Sequence, residues 1–95
     1  MKVKKIKIGK KYIRGILINL LSKNFILLRG SKGYVMCGYL NLSVARKFND
    51  VAVKIIGVST IKEALKAKVH SLSPAARKLG LYKGQPIKEA VKIIA

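Results

Sequence analysis

The residues able to do chemistry in this chain are few, and their spacing decides which reactions are open to it. Its one cysteine, Cys37, lies in GYVMCG at 33–38, where a strand-like run gives way to glycine and then to a helix-like segment. In α/β units that junction is the carboxyl edge of a strand, where ligands bind and helix amides stabilise an anion or lower a thiol pKa. Cys37, Gly38 and Asn41 therefore form a candidate ligand turn: glycine permits close backbone approach, and asparagine offers a polar side chain near the helix start. The competing reading is a buried cysteine beside a turn glycine, since free cysteine is among the most buried residue types. No second group stands nearby to activate the sulfur, so no catalytic residue is assigned.

His70, the only histidine, is flanked by Ser71 and Ser73, but a Ser-His-acid arrangement needs a carboxylate from Asp50, Glu63 or Glu89. Glu63 belongs to a helix cap and Glu89 to the polar face of a helix. Three dispersed acids are too few for an oxygen-ligand metal site or a glycosidase pair, and no spaced Cys/His set suits zinc. The sequence predicts no metal, no cofactor and a binding module in preference to an enzyme.

The basic residues carry the strongest functional signal. The 95 residues hold 21 Lys+Arg against 3 Asp+Glu, a formal net charge of +18, yet 51% of them are hydrophobic, which excludes disorder. Residues 1–49 contain twelve of the cations and no acid, seven of them before residue 15. Lys2, Lys4, Lys5, Lys7, Lys10, Lys11 and Arg14, with Lys23, Arg29 and Lys32, are the candidate polyanion-binding set. Lysine enrichment that serves ion-pair networks comes with glutamate, which is nearly absent, and that absence favours an external anionic partner such as nucleic acid. Four tyrosines are too few for a stacking platform, and no RNP-type stretch, KH loop or C2H2 spacing indicates sequence-specific reading.

One cysteine fits a reducing cytoplasm. The basic start followed by GILINLL has the outline of a signal peptide, but Asn19 interrupts the apolar run and no small-x-small site follows. No apolar stretch approaches 18 residues, so neither a transmembrane helix nor a membrane partner is expected.

The elements that position these residues change character near residue 33. Residues 2–8 (KVKKIKI) read as a lysine-loaded edge strand. Residues 12–21 are apolar on both parities and so require cover on both faces, and 24–29 make the returning strand. After Gly33 the reading is a strand at 33–37, a helix at 42–49, a strand at 51–57 and a helix opened by the Thr60/Glu63 capping box. A short strand at 68–72, a Ser73-Pro74 helix ended by Gly80 and a last helix at 86–94 complete it. Strand-helix alternation after residue 33 implies right-handed crossovers and parallel pairing. The fold class is α+β: an N-terminal antiparallel β region followed by β-α-β-α-β-α-α with a short parallel sheet. The chain reads as one domain, 1–95, with 1–32 as an oligomerisation region and 33–95 as the α/β portion.

GYVMCGYLN at 33–41, GVSTIKEAL at 57–65, AARKLGL at 75–81 and GQPIKEAV at 84–91, in this order and spacing, resemble the YunC-like family (domain of unknown function 1805). The resemblance implies a small α+β domain whose N-terminal strands form a homotetramer, consistent with a strand at 12–21 that needs a second cover. It implies no activity. Where members tend to carry a glycine-rich Gly-x-x-Gly-Lys-Glu-Ala-Leu end, this chain has GQPIKEAV.

Overall fold

Short strands and short helices build one sheet with its helices chiefly on one side. The computed structural model describes residues 2–19, 21–22, 24–37 and 42–95. Six strands follow chain order across the sheet: β1 (Lys2–Ile8), β2 (Lys11–Asn19), β3 (Asn24–Arg29), β4 (Tyr34–Met36), β5 (Ala52–Lys54) and β6 (Ser71–Leu72). The helices are α1 (Leu42–Lys47), α2 (Ile61–Lys66), α3 (Pro74–Lys78) and α4 (Ile87–Ile94).

β1 to β4 form an antiparallel meander, and β4 pairs with β5 in parallel across the α1 crossover. The lysine-loaded strand is at the sheet edge, as its charge requires. Parallel pairing goes no further, because β5 and β6 are antiparallel. The physical reason is the placement of α2, which packs over β2 and β3 and against α4 and does not return along β5. The chain re-enters the sheet from the 67–70 segment, which is held by Val69 N–H to the Gln85 carbonyl at 2.9 Å and Ile87 N–H to the Ala67 carbonyl at 2.9 Å.

Pleating sends successive side chains to opposite faces. Ile13, Ile26, Leu28, Val35, Val53 and Ile55 point to the face under α2, α3 and α4, where they pack with Ala64, Ala76, Ile87, Val91 and Ile94. A smaller cluster, Met36, Ala45 and Ala52, forms where α1 covers β4 and β5 on the other face. Within one chain the second strand is covered on one of its two faces. Ile13 and Gly15 are buried, whereas Ile16 and Ile18 are half-buried and Tyr12 is 50% exposed.

The caps act as read from the sequence. Thr60 Oγ1 accepts the Glu63 amide at 3.0 Å, and the Glu63 carboxylate accepts the amide of Ser59 at 2.7 Å. Ser73 does more than cap α3. Its hydroxyl donates to the Asp50 carbonyl at 2.6 Å and accepts from the amides of Ala52 at 3.1 Å and Ala76 at 3.3 Å, tying helix to sheet from a position only 2% exposed. At the turn between β3 and β4 the backbone meets α4 closely: a Cβ at Gly30 would collide with the Ile94 carbonyl, and Lys32 N–H donates to that same oxygen at 2.8 Å.

Ser73→Ala leaves the buried Ala52 amide without its acceptor and removes the α3 cap. It should cost about 1–3 kcal/mol, read as a lower urea midpoint at unchanged slope. A change below about 0.5 kcal/mol would show that the three bonds are not cooperative with the fold.

Candidate functional site

Strand register decides which of the basic residues meet. Lys5 is directly opposite Arg14, and Arg14 is directly opposite Arg29, so the three form one cross-strand row on the face away from α2, α3 and α4. All three are exposed. Lys7, opposite Tyr12, extends the basic surface on the same face, and the Lys5 ammonium sits 4.3 Å from the centre of the Tyr12 ring. An apolar row, Val3, Ile16 and Leu27, runs alongside, with Val3 55% exposed.

The rest of the sequence-derived basic set does not join this row. Lys2, Lys4 and Lys11 have the opposite parity and pair with Leu17, Gly15 and Ile8. Lys11 instead reaches the C-terminal helix, its Nζ 3.5 Å from the Ala95 backbone oxygen. Lys10 and Lys32 occupy turns, and Lys23 lies outside the described residues. The row itself was open to sequence reasoning only through register, because Lys5, Arg14 and Arg29 share no obvious spacing until the two turns are fixed.

None of the three acids stands in this row. Asp50 accepts the Tyr34 hydroxyl at 3.1 Å, Glu63 caps α2, and Glu89 is exposed in the first turn of α4. Tyr34, cross-strand partner of Arg29, has its hydroxyl pKa raised above 10.0, first by burial and then by the hydrogen bond and negative charge of Asp50. It therefore stays a protonated donor at neutral pH. Because the folded value is raised, any stability this contributes is present below the unfolded pKa and fades as pH rises through the folded one.

Cys37 faces the core. It is 4% exposed, packs in the main hydrophobic cluster, and its Sγ accepts the amide of Ile26 at 3.3 Å. Gly38 and Asn41 lie outside the described residues. His70 is exposed, its Nδ1 3.3 Å from the Ser71 hydroxyl, while the Ser73 hydroxyl is spent on the backbone bonds given above. Among the described residues no group of three or more His, Cys, Asp or Glu side chains converges to hold a metal. No helix among them is long and apolar enough to cross a membrane.

A mixed six-stranded sheet with its helices chiefly on one face makes this a small α+β domain. The chain belongs to the family described as "Domain of unknown function (DUF1805)", whose model matches residues 36–94. It is similar to the "Uncharacterized protein YunC" of Bacillus subtilis (strain 168), 31% identical over 80 residues that span 80% of this chain and 79% of the relative. It is also similar to a crystal structure of a protein of unknown function, TA1206 from Thermoplasma acidophilum. That match has 34% identity and a TM-score of 0.95, covering 99% of this chain and 92% of that one. The stretch matched by the family model begins at Met36, so the basic row on β1, β2 and β3 precedes it.

Burial of Cys37 predicts slow reaction with a thiol reagent such as DTNB in the native protein, on the order of 100-fold or more slower than in urea, because access requires opening of the core. Rapid native labelling would support the reactive-thiol reading of the 37–41 turn.

Proposed function

We propose that this chain is a non-catalytic module that binds polyanions, nucleic acid foremost, through the outer face of β1, β2 and β3. The observation that supports this reading best is the in-register row Lys5, Arg14 and Arg29. Like charges directly opposite on neighbouring strands destabilise a sheet. Strands about 4.8 Å apart are well inside the roughly 8 Å screening length of physiological salt, so solvent ions relieve little of that repulsion. A chain of phosphates laid across the row supplies the missing negative charge and releases counterions on binding. Lys7 and the Tyr12 ring widen the contact. The reading is one of charge and shape, without base-specific contacts.

Homo-oligomerisation, tetrameric in its fullest form, is part of the same proposal. It rests on Ile16 and Ile18, half-buried on a strand whose outer face carries no helix among the described residues, and on the exposed Val3 beside them. In an assembly the basic row would recur in every subunit. Light scattering on the purified protein reads the mass directly.

Fluorescence anisotropy with labelled duplex DNA and single-stranded RNA, on nuclease-treated protein at about 50 and 200 mM salt, tests the binding. With three to four phosphate contacts the affinity for duplex should fall about 100-fold across that range. Arg14→Glu should weaken binding equally on unrelated sequences and flatten the salt slope by about 1 or more. Absence of saturable binding at about 50 mM salt would overturn the proposal. A second expected outcome concerns the free protein: Arg14→Gln relieves the repulsion and should raise Tm at low salt, by about 0.2–1 kcal/mol of stability, with the gain shrinking at high salt.

A further inference from the structure

On the helix-bearing face an open groove of about 380 Å³ lies between the helix pair α2 and α4 and the inward side chains of β1. Ile6 and Ile8, Leu65 of α2 and Val91 of α4 make it apolar. Lys88 and Lys92, one helical turn apart on α4 and both exposed, line it as well. Lys7 borders it too, but pairs with Tyr12 on the opposite parity and is not used below. No carboxylate is among the described lining residues; Glu89 of the same helix is exposed and is not one of them.

We propose that this groove binds a small amphiphilic anion: an unbranched aliphatic chain ended by one carboxylate. Two like charges four residues apart destabilise a helix, and a carboxylate held between Lys88 and Lys92 removes that repulsion. The chain of the ligand then lies against Ile6, Ile8, Leu65 and Val91, where its methylenes leave water. Each half of the site excludes other ligands. A neutral aliphatic molecule leaves the two ammonium groups unpaired, an amine is repelled by them, and a small inorganic anion gains nothing from apolar walls. Ligand sites run from about 300 to 1,000 Å³, so this one suits a chain of about eight carbons.

The site depends on neither the edge of β1 nor the basic row. Val3, Ile16 and Ile18, which carry the oligomer proposed above, have the opposite parity from Ile6 and Ile8, as do Lys5, Arg14 and Arg29. Assembly through the outer face therefore leaves the groove in place.

The test is isothermal titration of the full chain, in its native oligomeric state, with octanoate at about 150 mM salt. Octanoate should bind saturably, one per chain, with a Kd of about 1 mM or tighter. From hexanoate to decanoate each methylene should tighten binding about two- to fourfold. Octanol should bind about tenfold more weakly than octanoate, and acetate at equal concentration should not compete. The double variant Lys88→Gln, Lys92→Gln changes only exposed side chains; it should weaken octanoate about tenfold and leave octanol unchanged. Amide NMR shifts on titration should centre on residues 6–9, 65 and 88–92. Arg14→Glu, which breaks the basic row, should alter octanoate affinity less than about threefold, so loss of nucleic-acid binding and loss of octanoate binding are read separately. A flat chain-length series, equal binding of octanol, displacement by acetate, or shifts centred on Arg14 and Arg29 would overturn the proposal. So would no saturable binding at about 5 mM octanoate, the result expected if a second copy seats on the groove.

Discussion

One face of the sheet is committed to the layer made by α2, α3 and α4, and the arrangement of every other strand residue follows from that commitment. A strand side chain has only two directions available, so placing Ile13, Ile26, Leu28, Val35 and Val53 inward forces Tyr12, Arg14, Leu27, Arg29 and Tyr34 outward. A one-residue slip in β2 would bury Arg14 and expose Ile13, a penalty that fixes the register strongly. The basic row is thus a by-product of core formation only in its parity. Nothing in the core requires that the outward positions at 5, 14 and 29 all be cations.

The unusual quantity is the absence of counter-charge. With 21 cations and three acids, internal neutralisation is not available, and two of the three acids serve structure: Glu63 at a helix start and Asp50 as acceptor of the Tyr34 hydroxyl. Such a surface attracts anything negative over distances set by salt. The fold tolerates it because the charges stand at the margins, on exposed strand positions and helix faces, while the main cluster around Val53 and Ala90 is wholly apolar.

Much of this architecture was legible in the sequence. The Thr60/Glu63 box, the Ser73-Pro74 start and the i, i+3, i+4, i+7 spacing of Ile87, Ala90, Val91 and Ile94 fixed three helices, because each rests on local hydrogen bonding or periodicity. The direction of β6 was not legible, since two residues carry no pattern and their orientation depends on where α2 packs. The candidate site was half legible. Composition pointed to the N-terminal lysines, but parity and pairing, which separate Lys5 from Lys4, are tertiary facts. Cys37 carried two readings in the sequence, and its inward aim is a tertiary fact: a strand end can point its last side chain inward as readily as toward a ligand.

The contact between Gly30 and the carbonyl of Ile94 joins a turn in the first third of the chain to its last helix. During synthesis β1, β2 and β3 emerge well before α4, so the inward face carrying Ile13, Ile26 and Leu28 lacks part of its roof until residues 87–94 have left the ribosome. Throughout that interval a hydrophobic meander is exposed on the side that will become the core. Lysine on an edge strand disfavours pairing between two unfinished copies during that interval.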